Sequence, residues 1–180
     1  NSELHIIEYT INKSKFKFIN NVYENIILEK NSKLRNLHLH SNKSEGFFHK
    51  YSKNELETKS DYLNFIFSSG LKFNKMDIEC DLAGKNSVCN IMSALFLTKD
   101  EHHEIKTRIN HLVPNCKSYQ KIKNVLSSES KGVYQGKIYV KDIAQKTDAY
   151  QLSKALLLND NAEFNSKPEL EIYADDVKCS

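Results

Sequence analysis

A cysteine lies one residue before the end of the sequence, in the stretch Ala174-Asp175-Asp176-Val177-Lys178-Cys179-Ser180. A thiolate is a soft ligand suited to iron and iron–sulfur species, provided that it is deprotonated and accessible. Strand alternation, however, puts Val177 and Cys179 on one face, and free cysteine is among the most buried residue types. The residues alone leave two interpretations of Cys179 open, a metal-binding thiol and a buried packing residue.

The paired carboxylates Asp175 and Asp176 interrupt an apolar alternation. If the strand continued through them, Asp176 would join the face of Leu170 and Ile172, where an unpaired carboxylate is costly. We therefore predict a turn at this pair and assign it no catalytic role.

The remaining cysteines, Cys80, Cys89 and Cys116, show no CxxC spacing and are too few for a disulfide framework. This usage favours a reducing compartment. The sequence also has no glycine-rich phosphate loop, no nucleophile elbow and no HExxH motif.

Histidines recur along the chain without an evident metal-binding pattern. His38 and His40 share one face of a predicted strand, but the sequence places no acid or cysteine beside them, so a solvated face is favoured. His102 and His103 lie in a charged, loop-like run and are interpreted as surface residues. His111 follows an apolar face and is interpreted as a core histidine with satisfied hydrogen bonds.

Alternating hydrophobicity predicts strands that carry these residues. Leu37 and Leu39 oppose the histidine pair, and Ile138 and Val140 oppose Lys137 and Tyr139. A third such face holds Ile105, Thr107, Ile109 and His111. Strands of this kind have one face in water and one face on a core.

Small residues recur at the start of apolar segments. Ser2, Ser32, Ser60, Ser87 and Ala162 are separated by 30, 28, 27 and 75 residues, the last close to three further periods. Periods of about 20–50 residues are typical of stacked repeats, in which each unit buries its apolar face against its neighbours. A small corner followed by a short strand suits one coil of a β-solenoid.

Two segments have helical spacing instead. One contains Tyr119, Ile122, Val125 and Leu126, and the other contains Ala149, Leu152, Ala155 and Leu156. Spacing alone predicts helices for both. The run Leu156-Leu157-Leu158 in the second is typical of strands buried on both faces, and the family resemblance given below implies a β-coil there. Residues 100–126 are left unassigned.

The composition is that of one globular domain of 180 residues, with 39% hydrophobic and 27% charged residues. The formal charge is +3, yet all basic residues except Arg35 and Arg108 are lysines dispersed among acids, which argues against nucleic acid as a partner. No hydrophobic run is long enough for a membrane span, and no signal-peptide pattern is present. Because the sequence does not begin with methionine, we expect a fragment.

Five ordered blocks resemble the SufB/SufD family of the SUF iron–sulfur cluster assembly system, and the last block resembles its SufD members more than its SufB members. They are His111-Leu112-Val113-Pro114-Asn115, residues 132–140, residues 144–151, Leu156-Leu157-Leu158 and residues 167–180.

The resemblance implies a mainly β fold, a right-handed parallel β-helix with a single-stranded solenoid core, over residues 1–180. It implies a chain truncated at both ends, without the family's N-terminal region and C-terminal helical domain. The implied role is a non-enzymatic scaffold, located in a bacterial cytoplasm or the stroma of a plastid-like organelle.

The implied partners are SufB, as a heterodimer through the β-helix, and the SufC ATPase, through the missing C-terminal domain. No intrinsic cofactor is implied, and a transient iron–sulfur cluster would form at the SufB interface. Cys179 is then an interface thiol near the nascent cluster, and the family continues beyond it with a histidine and a glycine.

Two other functions are weighed against the scaffold, a carbohydrate-acting β-helix and a plain structural repeat. Two arginines and no tryptophan argue against a sugar-binding cleft. A structural repeat would need neither SufB nor SufC. We also expect the fragment to self-associate, since a cut solenoid has an unpaired strand edge.

Overall fold

The computed structural model describes residues 2–11, 16–41 and 43–180, and every regular element among them is a strand. The strands are β1 (Glu3–Thr10), β2 (Ile19–Leu28), β3 (Lys33–His40), β4 (Ser44–Leu56), β5 (Asp61–Ser68), β6 (Leu71–Leu82), β7 (Val88–Leu97), β8 (His102–His111), β9 (Lys117–Leu126), β10 (Lys131–Val140), β11 (Thr147–Leu157), β12 (Glu163–Ile172) and β13 (Val177–Cys179). No helix long and apolar enough to cross a membrane occurs among these residues.

Odd and even strands form separate parallel sheets. Sheet A has the order β1-β3-β5-β7-β9-β11-β13, and sheet B has the order β12-β10-β8-β6-β4-β2. Each strand therefore pairs with the strand one coil away, and the chain winds as a β-solenoid of about six turns. The expected parallel β-helix is confirmed.

The segment with helical spacing around Tyr119 is the strand β9. Its apolar positions divide between two faces, with Ile122 and Leu126 buried and Tyr119 and Val125 directed outward. Parallel neighbours β7 and β11 supply its backbone hydrogen bonds, and this tertiary pairing overrides the local spacing. The unassigned region 100–126 is thus made of β8 and β9. The second such segment is β11, as interpreted from the sequence.

One corner of the solenoid repeats in every coil. The residues with positive φ there are Asn31, Lys59, Asn86, Asn115 and Lys146. Buried small side chains follow at Ser32, Ser60, Ser87 and Cys116. The repeat in Ser32, Ser60 and Ser87 is therefore confirmed.

Ala162 does not belong to that column. It precedes β12 and stacks beside Ser130, which precedes β10, at the corner that leads into sheet B. The interpretation of its spacing as three further periods was wrong.

The interior between the sheets is a lumen filled by inward side chains, and most of its apolar members form one cluster from Leu28 to Ala162. A smaller cluster holds Ile138, Val140, Ala144, Ala149 and Ala174. These two clusters place the core along the solenoid axis.

The leucine run after Ala155 is exposed rather than buried on both faces. Leu156, Leu157 and Leu158 are 58%, 48% and 54% accessible. β13 pairs with β11 only over Thr147–Ala149, so among the described strands the later residues of β11 have a paired strand on one side only, β9.

Candidate functional site

Cys179 lies on β13 directly above Ala149, in an inward column of sheet A that continues through Ser118 and Cys89. It is partly buried and packs against the smaller core cluster. Val177 shares this inward orientation, as the alternation predicted. The thiol therefore belongs to the lumen, in the last coil that this chain forms.

The electrostatic surroundings of Cys179 disfavour its thiolate. Burial and the negative charge of Asp148 raise the pKa of the thiol, and a backbone hydrogen bond from Ala149 opposes the shift. The Asp148 carboxylate already accepts a hydrogen bond from Tyr119 Oη at 2.9 Å. A neutral thiol is thus the ground state of Cys179 at neutral pH.

Asp175 and Asp176 lie in the bend between β12 and β13, which confirms the predicted turn. Both are exposed, and the backbone N–H of Asp176 donates to Gln145 Oε1 at 2.9 Å. The pair orients the last strand.

The described residues offer Cys179 no complete ligand set. Among them, the one group of three His, Cys, Asp or Glu side chains close enough to share an ion is Glu8, Glu24 and His38. An iron species at Cys179 would need ligands from another chain or from another part of the polypeptide. The assignment of Cys179 as an interface thiol stays a prediction.

The group of Glu8, Glu24 and His38 lies in the lumen of the first coils, where Lys50 joins it. Lys50 is 2% accessible, and its Nζ donates to Glu8 Oε2 and Glu24 Oε1 at 2.8 Å each. Ser52 Oγ donates to Glu24 Oε2 at 2.7 Å. We call Glu8, Glu24, His38 and Lys50 the ionic cluster.

Hydrogen bonds complete this cluster at Glu8. Its Oε1 accepts from Asn36 Nδ2 at 3.2 Å, and its Oε2 lies 3.3 Å from His38 Nδ1. Burial alone would raise the pKa of Glu8, but hydrogen bonds from His38 and Lys50 hold the pKa well below its usual range.

Carboxylates and an imidazole are a donor set for a divalent cation, but the Lys50 ammonium lies between the carboxylates where such an ion would bind. All four carboxylate oxygens already have partners. With Lys50 in place, the cluster is a hydrogen-bonded ion-pair network rather than a metal site.

The interpretation of His38 and His40 as a solvated face was wrong. They are 1% and 3% accessible, whereas Leu37 and Leu39 on the opposite face are partly exposed. The alternation is as predicted, but its direction is reversed: His38 contacts Glu8 and Asn36 in the lumen, and His40 packs against Phe48.

His103 is also buried, at 1% accessibility, and not a surface residue. Its Nε2 donates to the carbonyl oxygen of Leu71 at 2.9 Å, and its Nδ1 accepts from Ser68 Oγ at 3.0 Å. Burial lowers the pKa of His103 to about 4, although the bond to Leu71 opposes the shift. His102, the other member of that pair, has a side chain 36% accessible.

His111 is a satisfied core histidine, as predicted. It is fully buried, with Nε2 2.9 Å from Ser118 Oγ and Nδ1 3.4 Å from Thr147 Oγ1. Burial lowers its pKa to about 4, and the nearby charge of Asp148 opposes that shift.

The other three cysteines are buried free thiols. Burial raises the pKa of Cys80 well above its usual value, and a hydrogen bond with Cys89 adds to this shift. Cys116 Sγ lies 3.3 Å from Ser87 Oγ. These contacts indicate packing residues.

Sequence reasoning missed Glu8, Glu24 and Lys50, because each resembles a surface charge when its strand is considered alone. The coil period carried a usable signal: Glu8 aligns with His38 at 30 residues, and Glu24 aligns with the buried Ser52 at 28. Once one residue of a column is known to face the lumen, the coil period predicts that the residues aligned with it face the lumen too.

The outer face of sheet B carries a groove of about 450 Å³ with acids and bases together. Its carboxylates already have partners, since Glu79 accepts from Tyr51 Oη at 2.8 Å and Asp77 lies 2.9 Å from His49 Nε2. This pairing does not favour the free acid and base that glycoside hydrolysis requires.

Comparison with known proteins gives one consistent result. A family model described as the SufBD core domain of SUF system FeS cluster assembly matches residues 1–180. Over 134 residues the chain is 35% identical to the Escherichia coli protein named iron-sulfur cluster assembly protein SufD, covering 73% of this chain and 32% of that protein.

Two further relatives match nearly the whole chain. The Arabidopsis thaliana protein named ABCI7, chloroplastic, is 29% identical over 181 residues, which is 99% of this chain and 38% of the relative. A Synechocystis protein named as an iron-sulfur cluster assembly SufBD family protein is 26% identical over 167 residues, covering 91% and 36%. The chain thus spans about a third of the length of these curated relatives.

Proposed function

The chain belongs to the SufBD core family of the SUF iron–sulfur cluster assembly system, and we propose that it is the β-solenoid core of a SufD-type scaffold subunit. The main support for this proposal is that the family match extends over all of residues 1–180, and the described part of this chain winds as a parallel solenoid. The proposed role is non-enzymatic and positional: a rigid solenoid holds ligand groups in register at a subunit interface.

We propose SufB as the partner along the β-helix and the SufC ATPase as the partner of a segment outside these 180 residues. Among the described strands, β12 and β13 each have a paired strand on one side only. The same unpaired edges would allow self-association of the isolated 180-residue chain.

The nascent iron–sulfur cluster is cargo in this proposal, and Cys179 is the thiol nearest to it. Cys179 lies in the last coil and lacks two further ligands among the described residues. That arrangement fits an interface at which a second subunit supplies the missing ligands. The raised pKa of the thiol fits a ligand that is deprotonated only when iron binds.

The relatives named in Escherichia coli and as chloroplastic support a bacterial cytoplasm or a plastid stroma as the location. Free cysteines at all four positions agree with a reducing compartment of either kind.

The decisive experiment is co-purification of the full-length protein with SufB and SufC from the same source, followed by measurement of iron and sulfide. We expect a stoichiometric complex, and we expect Cys179→Ser to lower the cluster yield without releasing either partner. Failure to recover a complex, with SufB and SufC folded, would refute the scaffold proposal.

Cys89→Ala is the matched control, because Cys89 lies in the same inward column as Cys179 but is fully buried. It should lower stability and leave the cluster yield per folded complex unchanged. Equal losses of yield in both variants would mean that Cys179 acts only through packing.

A further inference from the structure

The outward face of sheet A carries apolar side chains where a solvated sheet would carry charges. They lie in two neighbouring columns on β3, β5 and β7: Leu37, Phe65 and Met92 in one, and Leu39, Phe67 and Ala94 in the other. All six are partly exposed. We call these six residues the apolar block. On β1 the columns continue with Ile7 and Tyr9, which are 70% and 51% accessible.

The outer face of sheet B shows that the solenoid itself does not require such a block. Its outward columns hold Lys75 beside Glu104 and Asp77 beside Lys106. Lys75 Nζ lies 3.7 Å from Glu104 and 3.9 Å from Asp77. A contiguous apolar surface rimmed by polar residues typically marks a site of protein interaction.

The same two columns become cationic on the next strands. Met92 is followed by Lys121 on β9 and then by Leu152 on β11, whereas Ala94 is followed by Lys123 on β9 and Lys154 on β11. All three lysines are exposed, and none makes an ion pair within the part of the chain that the structure describes. One end of the block therefore has positive charge without a counterion.

The spacing of this surface matches a helix that crosses the strands. Neighbouring strands lie about 4.8 Å apart, and an α-helix rises about 5.4 Å per turn. A helix lying along the columns would thus place about one turn over each strand. Its first three turns would cover the block, and the next turns would reach Lys121, Lys123 and Lys154.

We propose that this face of sheet A binds an amphipathic α-helix of a partner protein. The helix carries apolar residues over the apolar block and Asp or Glu residues over the three lysines. Charge complementarity at one end fixes its direction along the columns. This surface is independent of the cluster-assembly role, because it excludes Cys179 and the edge strands β12 and β13.

A designed peptide tests the proposal on the full-length protein. The probe is a fluorescent helix of about 18 residues, with Leu at helical spacing over three turns and Glu in the remaining turns. A second peptide has Lys in place of Glu. We expect the acidic peptide to bind at least about tenfold more tightly than the basic one.

Charge reversal on the protein should invert that preference. The double variant Lys121→Glu/Lys123→Glu should favour the basic peptide, whereas Lys85→Glu/Lys141→Glu makes the same charge change at exposed positions outside the two columns and should alter neither affinity. Phe65→Ser should weaken both peptides, with an unchanged circular dichroism spectrum as the check on folding.

Three outcomes would overturn the proposal. The first is that neither peptide binds and Phe65 and Phe67 are protected from hydroxyl-radical labelling in the monomer, which would show that the polypeptide's own chain covers the block. The second is protection that depends on protein concentration, which would identify a second copy as the occupant. The third is equal binding of both peptides to all lysine variants.

Discussion

The two ends of the lumen differ in chemistry although parallel strand pairs of sheet A line both. In sheet A, one column begins with Glu8 and His38 and continues with Ile66. Another ends with Ala149 and Cys179. The backbone geometry is the same at both ends, so each coil can hold a polar or an apolar interior without changing its shape. The free-energy cost of burial differs, because a buried charge must keep its ion-pair and hydrogen-bond partners, whereas a buried thiol needs none.

The largest expected effect comes from removing the cation of the ionic cluster. Lys50→Met leaves Glu8 and Glu24 close together without the ammonium that now contacts both. Breaking a buried ion pair by removing one partner typically costs about 3–5 kcal/mol. Because the Glu8 and Glu24 side chains are partly accessible to solvent, chemical denaturation should show a loss in the free energy of unfolding near the lower end of this range.

Two controls make this prediction specific. Adding Glu8→Gln and Glu24→Gln to Lys50→Met should recover most of the stability, since the uncompensated charges are then gone. The single variant should also be stabilised by a divalent cation such as Mn²⁺, because Glu8, Glu24 and His38 would surround the vacated position. Indifference of the variant to Mn²⁺ would contradict the interpretation that Lys50 occupies a cation position.

Acid should weaken the first half of the solenoid before the second. The pKa of His103 is lowered from 6.5 to about 4 by burial, so between those values the unfolded chain binds a proton that the folded chain does not. Stability from this group is complete above pH 6.5 and falls as the pH drops towards 4. His40 and His111 shift in the same direction, and no histidine follows His111.

Hydrogen exchange at pH 7 and pH 5 would locate this effect. We expect protection to fall in β3 to β8 and at Ser118 and Thr147, which contact His111, and to persist in the rest of β11. The variant His103→Gln cannot titrate, so its stability should depend less steeply on pH over that range. A uniform loss of protection along the chain would argue against histidine titration as the cause.

A smaller loss of stability is expected from a substitution at Gly136, within the lumen. Gly136 lies in the lumen beside Tyr134, and a Cβ added to Gly136 would come within 2.2 Å of the Tyr134 hydroxyl oxygen. That hydroxyl donates to Gln120 Oε1 at 3.1 Å, and Thr107 Oγ1 also donates to Gln120. Gly136→Ala should therefore cost about 1–2 kcal/mol through displaced packing and a weakened hydrogen bond. Gly132→Ala should lower the stability less, because the atom nearest to a Cβ added at Gly132 lies 3.2 Å away, on the Phe164 side chain.

Alternation and coil period favoured a β-solenoid because both follow from backbone geometry, and the family resemblance implied that it is a parallel β-helix. Ser32, Ser60 and Ser87 marked one corner correctly, and Ile138 and Val140 were assigned to the correct face. The turn at Asp175 and Asp176 was also predictable, since a carboxylate within the alternation demands an exit from the strand.

The direction of the polar faces was not predictable from single strands. His38 looks solvated until Glu8, distant in sequence, is known to contact it, and His40 looks solvated until its packing against Phe48 is known. The burial of the β11 leucines was predicted wrongly for a different reason: it requires a second paired strand beyond Ala149, and among the described strands only β9 pairs with those residues. In both cases the missing information was the identity of the neighbour one coil away.

The smallest expected effect is at the thiol end, and it separates the two interpretations of Cys179. Cys89 and Cys179 lie in one inward column, but Cys89 is fully buried while Cys179 is partly accessible. Cys89→Ser buries a hydroxyl in an apolar site and should cost about 1–3 kcal/mol, whereas Cys179→Ser should cost less than about 0.5 kcal/mol. Iodoacetamide should alkylate native Cys179 slowly, because the raised pKa of its thiol keeps the thiolate fraction small. The rate should rise with pH as this fraction grows, and the other three cysteines, which are buried, should stay unmodified. In the full-length protein, retained reactivity that SufB abolishes would place the thiol at the interface. Protection without SufB would instead mean that a further coil covers Cys179, and the column would then be a packing column throughout.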